Sequence, residues 1–205
     1  MITMKSKFFE REIQLIESQD LQDFVRWFFD CEVGDWFWKS GASSSGKYHP
    51  VFAQGDGGLV RHTRAVALVC EELLRINTYA YMNDTYKDYA RVACLLHDTC
   101  KYGAGQEIDK TAFKNHGEIA ADKVAKSWHE FFHDYAPDLL LMAIRSHMGQ
   151  WTEDRAHRPF TNIDRLVHLS DYIASRSFWD IPQISNEYYE DSWETLLPNQ
   201  DDLPF

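Results

Sequence analysis

The stretch from Ala90 to Lys101 limits what this chain can fold into more than any other. Ala90, Ala93, Cys94 and His97 recur at i, i+3, i+4 and i+7, one face of one helix, with Asp98 flanking its last turn. Small apolar residues on that face predict a buried helix, which carries the imidazole and the carboxylate to the edge of the core. An ionised carboxylate in that position is costly unless it is paired or holds a cation.

The same pattern returns along the chain. A turn at Gly55, Gly57 and Gly58 feeds a helix on which His62, Ala65, Val66, Val69, Cys70 and Leu73 share a face. His116 opens a helix with Ile119, Ala120 and Val124, continued by Trp128, Phe131 and Phe132. Leu140, Ala143, Ile144 and His147 form another stripe, ended at Gly149 as helices commonly are. On the last long helix Ile163, Leu166, Val167, Ser170 and Ala174 face inward, with Asp171 at their edge. One histidine on an apolar face is ordinarily a hydrogen-bonded core residue. His62, His97 with Asp98, His116, His147 and Asp171, spread over separate helices, are a different matter. Buried without a cation, they would leave several polar groups unpaired at about 1–3 kcal/mol each. A metal centre satisfies them together. The remaining histidines lack that placement: His49 and His157 fall in loops, His129 and His133 lie beside the Trp128 stripe, and His168 points off its own stripe. They read as structural or solvated.

Helical periods on both sides of every loop, with no βαβ alternation and no repeat, predict an all-α, single-domain helical bundle over residues 1–205. Its parts are aromatic-rich N-terminal helices and a loop (1–50), a ligand-bearing core (57–176) and an acidic tail (177–205). Ile13, Ile16, Leu21, Phe24, Val25, Phe28 and Phe29 recur at helical spacing, so the N-terminal aromatics read as packing surface ahead of a base-stacking platform. The run Gly41 to Lys47 satisfies the phosphate-loop spacing, but Tyr48 stands where a Ser or Thr should bind magnesium and no β-branched strand precedes it. A nucleotidase of that type is therefore discounted. A solvated loop and an anion-binding lip that includes Lys47 both fit.

A formal net charge of -11 without a compensating basic run disfavours polymeric nucleic acid and anionic membrane surfaces. It leaves room for a small anionic substrate, because a bound metal inverts the local field. No apolar run approaches a membrane span, and the first residues lack the apolar core of a signal peptide. Cys31, Cys70, Cys94 and Cys100 show no CxxC spacing, and Cys70 and Cys94 sit on apolar helix faces, so reduced thiols and a cytoplasmic location are expected.

Three segments carry a family resemblance. Gly57-Gly58-Leu59-Val60-Arg61-His62-Thr63, Leu95-Leu96-His97-Asp98-Thr99-Cys100-Lys101 and His168-Leu169-Ser170-Asp171-Tyr172-Ile173 resemble, in this order, the motifs of the HD-domain metal-dependent phosphohydrolase superfamily. His116 and His147 between them resemble its binuclear subset, which includes the bacterial diadenosine tetraphosphate hydrolases of the YqeK type and the HD-GYP cyclic-dinucleotide phosphodiesterases. His147-Met148-Gly149-Gln150-Trp151 followed by Asp171-Tyr172-Ile173-Ala174-Ser175-Arg176 leans toward the first, and the chain lacks the GYP signature of the second.

The resemblance implies one metal held by His62, His97, Asp98 and Asp171, with Asp98 bridging to a second held by His116 and His147. One or two divalent ions are expected, and the mixed imidazole and carboxylate donors suit Fe, Mn, Co, Ni or Zn ahead of Mg. Asp98 and Lys101 are the catalytic candidates, Lys101 by neutralising charge on phosphoryl oxygens. For Lys101 a simple helix-terminus role fits as well. Lys101, Arg64, Lys47 and Arg176 are the substrate-binding candidates. The expected activity is hydrolysis of a phosphoester or phosphoanhydride bond in a nucleotide or dinucleotide by a metal-activated water. The alternatives are an oligonucleotide phosphodiesterase and a metal-stabilised nucleotide- or protein-binding module without catalysis. The apolar N-terminal helices leave homodimerisation open.

Overall fold

In a computed structural model, residues 4–43, 49–152, 154–179, 181 and 184 are described. The chain runs α1 (Glu10–Ile13), α2 (Gln19–Cys31), α3 (Asp35–Lys39), α4 (Gly58–Leu74), α5 (Asn77–Ala80), α6 (Asp84–Leu96), α7 (His116–Phe132), α8 (Asp138–Ser146) and α9 (Asn162–Ala174). Short 3₁₀ turns link several of them, and among the described residues no strand occurs. The all-α architecture is as the periodicity predicts.

Helix starts follow local chemistry. Ser18 caps α2 by accepting from Leu21 N, and Asn83 caps α6 by accepting from Tyr86 N. Thr161 and Asp164 form a reciprocal capping box on α9. The α4 start depends on Gly58, where a Cβ would lie 2.4 Å from Ala53 O. Only a residue without a side chain lets the helix begin so tightly against the preceding loop. Buried Arg61 then staples that loop down, donating to the carbonyls of Phe52, Gln54 and Asp56.

One boundary differs from the sequence expectation. The helix carrying His97 ends at Leu96, so His97 caps it and Asp98 lies in the turn beyond. The ladder tightens there: His97 N still donates to Ala93 O, but Thr99 N donates to Leu96 O and Lys101 N to Asp98 O, three residues back. The short helix α5 joins α4 to α6.

α4 packs on α6 and α9, and α8 lies against α6, α7 and α9. The N-terminal aromatics belong to this core: Phe9, Phe24, Phe28, Phe29 and Phe37 are fully buried. Phe9 stacks on Phe29 at 4.4 Å, and Phe24 meets Trp128 of α7 edge-on at 5.1 Å. Burying each ring contributes about 1.5–3 kcal/mol. Packing, not base stacking, is what these rings do. A second tie is Asp88 of α6, buried at 3 % exposure. It accepts from Glu17 N, Ser18 N and Arg91 Nη1, all at 2.9 Å. All four cysteines are free. Among the described residues no helix is long and apolar enough to cross a membrane.

Candidate metal centre

The ligand-type residues sit where helices begin or end. His62 lies in the second turn of α4, His97 and His147 cap α6 and α8, His116 is the first residue of α7, and Asp171 lies in the last turn of α9. The apolar stripes hold the helix bodies together, so these termini converge at one end of the bundle. His62, His97, Asp98, His116 and His147 are each no more than 4 % exposed.

Their atoms form two adjoining groups. Around Asp98 Oδ2 lie His97 Nε2 at 3.5 Å and His62 Nε2 at 3.7 Å. Asp171 Oδ1 completes that group, 3.1 Å from His62 Nε2 and 4.0 Å from His97 Nε2. Around Asp98 Oδ1 lie His116 Nε2 at 2.9 Å and His147 Nε2 at 3.7 Å. The two oxygens of one carboxylate thus face different donor sets. His62–His97–Asp98 and Asp98–His116–His147 each bring their donor atoms within 4.8 Å of one another, as does His97–His147–Asp171, which joins the two groups.

Backbone carbonyls aim three of the rings. His97 Nδ1 lies 2.8 Å from Cys94 O, His116 Nδ1 2.9 Å from Phe113 O, and His147 Nδ1 2.7 Å from Ile144 O, each partner three residues back. A proton on Nδ1 donates there, leaving Nε2 with a lone pair directed at the shared space, the arrangement of metal-ligating histidines. His168 supports the α8 terminus, its Nδ1 donating to His147 O at 2.7 Å. Gly149, at φ 62, makes room for the His168 ring.

The electrostatics suit a cation. Burial opposes ionisation of Asp98, but Lys101, His97 and His116 outweigh it and hold the carboxyl well below its ordinary range. Asp171 is likewise low, against its burial, through His62 and His97. Burial, with His116 and His97 nearby, pushes His147 down to about 3. At neutral pH the centre thus presents ionised carboxylates and a neutral His147 imidazole. Among the described residues, His97 Nε2 and His62 Nδ1 are buried without a hydrogen-bond partner, and Asp98 Oδ1 and His62 Nε2 meet only other ligand-type atoms, those of His116 and Asp171. Each such group costs about 1–3 kcal/mol if left unmet. Nitrogen and carboxylate oxygen with free lone pairs fit a divalent transition metal.

The remaining candidates separate. Lys101 Nζ lies 2.6 Å from Asp98 Oδ2, and with Arg176 it lines a cavity of about 570 Å³ that opens onto Asp98, His116, His147 and Asp171. Arg64 is directed elsewhere: its Nε donates to the buried Glu12 Oε1 at 3.0 Å, tying α1 to α4. The described residues lining the cavity do not include it. Lys47 lies outside the described residues.

Sequence reasoning missed His49. It lines the same cavity, its ring centroid 5.2 Å from that of His62. A loop has no periodicity to betray such a placement; the one local signal was His49-Pro50 shortly before the glycine turn.

An all-helical bundle whose helix termini gather histidines and aspartates over a cavity places together groups that could hold a metal ion. The HD domain family model matches residues 59–176, more than half of the chain, so the chain belongs to the HD domain family. Neither curated proteins nor solved structures gave a significant match.

Proposed function

We propose that this protein is a divalent-metal phosphohydrolase with a binuclear centre, acting on a phosphoester or phosphoanhydride bond of a nucleotide or dinucleotide. The observation that carries the reading is Asp98, whose Oδ2 faces His62 and His97 while Oδ1 faces His116 and His147. His62, His97, Asp98 and Asp171 would hold one ion, and Asp98, His116 and His147 the other. Bound there, such ions supply Lewis-acid activation of water and neutralisation of phosphoryl charge.

The chain's own groups do the rest. The backbone carbonyls behind His97, His116 and His147 keep their Nε2 atoms directed inward. Lys101, paired with Asp98, places a positive charge at the cavity wall, where charge grows on the phosphoryl oxygens. Arg176 on the same wall offers a second cation to a phosphate further from the centre. The cavity size lies within the range of about 300–1,000 Å³ usual for small-molecule sites. A small phosphorylated substrate suits it better than a polymer on a chain of net charge -11.

The test is metal per chain by plasma mass spectrometry for the wild type, Asp98→Ala and His147→Ala, with phosphate release from a nucleotide panel. Close to two transition-metal ions, falling sharply in Asp98→Ala and to about one in His147→Ala, is expected. No ion after reconstitution with Mn or Fe would refute the reading.

A further inference from the structure

The cavity over the candidate metal centre is lined by two unlike kinds of group. Asp98, Lys101, His116, His147 and Asp171 line it with charged and ligand-type groups, and Trp151 and Arg176 line it as well. Trp151 ends the short turn Gly149–Trp151 that leaves His147. Its ring lies nearly parallel to Tyr172 of α9, centroids 6.0 Å apart and planes 14° apart. Tyr172 is in turn covered by the Arg176 guanidinium, whose Cζ lies 4.3 Å from the ring centroid. That guanidinium is fixed by Nε donating to Tyr172 O and Nη2 donating to Ser175 Oγ, both at 3.0 Å. Although stacked, Trp151 remains 51 % exposed.

Such a stack is an odd thing for a chain to leave open. A tryptophan held by a neighbouring ring has lost its rotamer freedom already, so a flat ligand laid on it costs little further ordering. Resting on the reading of the centre as a phosphohydrolase, we propose that Trp151, backed by Tyr172, is the platform on which the substrate's nucleobase stacks. Arg176 then takes a phosphate lying between the base and the bond to be cleaved. Stacking of a base on an aromatic side chain contributes about 1–3 kcal/mol and tolerates any base, because every base has a π face. The larger face of a purine gains more. The platform therefore selects nucleotides over other phosphate compounds, and purines over pyrimidines, without reading an individual base.

The test uses the full, metal-loaded chain with Trp151→Ala and Trp151→Phe. The kcat/KM is measured for a purine nucleoside triphosphate, its pyrimidine counterpart, and inorganic tripolyphosphate, which carries the phosphates without a base. Equilibrium binding of imido analogues gives a readout independent of turnover, and metal per chain reports whether the centre is intact. The preference of the wild type for the purine nucleotide over tripolyphosphate is expected to fall about tenfold or more in Trp151→Ala, through KM, and to recover largely in Trp151→Phe. An unchanged preference in Trp151→Ala, or no recovery with phenylalanine, overturns the platform. A wild type that handles nucleotide and tripolyphosphate alike also overturns it while leaving the hydrolase reading in place. A wild type that neither cleaves nor binds any of them overturns the platform, and if it also holds no metal the hydrolase reading falls with it.

Discussion

Asp98 Oδ1 lies 2.9 Å from His116 Nε2, while the other oxygen of the same carboxylate is held 2.6 Å from Lys101 Nζ. The residue is 1 % exposed, so its charge depends on these neighbours together with His97. Asp98→Asn keeps the shape and removes the charge, leaving Lys101 without its paired carboxylate in a site where its side chain is only 12 % exposed. The metal-free variant is expected to lose about 3 kcal/mol of stability. Denaturant titration checks this, and adding Lys101→Met should return part of the loss. A single variant as stable as the wild type would mean that the pair contributes nothing to folding.

Gly149 stands at φ 62, and a Cβ there would lie 2.1 Å from His168 Cε1. Gly149→Ala must therefore displace the ring that donates to His147 O. The left-handed backbone adds about 1–2 kcal/mol for any L side chain. The expected outcome is a lowered melting temperature together with loss of metal, first from the half of the centre formed by His116 and His147. Titrating metal back while following occupancy distinguishes this from general unfolding, in which both halves would weaken equally.

Asp88 supplies a control far from the centre. It lies nine residues before His97, about 13 Å along the helix at 1.5 Å per residue. Asp88→Ala strips Glu17 N, Ser18 N and Arg91 Nη1 of their acceptor, while Arg91 keeps its pair with Glu71. Urea unfolding should report a loss of about 3 kcal/mol, while metal per chain stays at the wild-type value. A drop in metal content would show that the N-terminal helices help to shape the centre.

His49 and His147 are both pushed down to about 3, His49 by burial with His62 and Lys101 beside it, His147 by burial with His116 and His97. Their unfolded value is near 6.5. As pH falls below that value the unfolded chain takes up protons that the folded chain refuses, so their stabilisation is complete above it and is lost on the way down to about 3. His97 works in the opposite sense: burial lowers it, but Asp98 and Asp171 raise it on balance. It is outnumbered. Chelator-treated protein should melt at progressively lower temperature between about pH 6.5 and about pH 4. A melting temperature that holds or rises over that interval would contradict the assignment of these two histidines as buried and neutral.

The helical bundle and six ligand-type residues were legible from periodicity alone. Core-facing stripes repeat every three to four residues, and a histidine that extends such a stripe must travel with the helix end that carries it. His62, His97, His116 and His147 obey that rule, with Asp98 and Asp171 at the edges. What periodicity does not encode is the relation between elements distant in the chain. Arg64, a candidate phosphate contact by its place near His62, is drawn to Glu12 because α1 folds against α4. His49 and Trp151 sit on irregular backbone, where no repeat marks a direction, and only the packing of their loops brings them to the cavity. The division of Asp98 between two donor sets is of the same kind. A sequence determines that a carboxylate follows a buried helix; which oxygen faces which histidines is decided by the packing of α4, α6, α7, α8 and α9 around it.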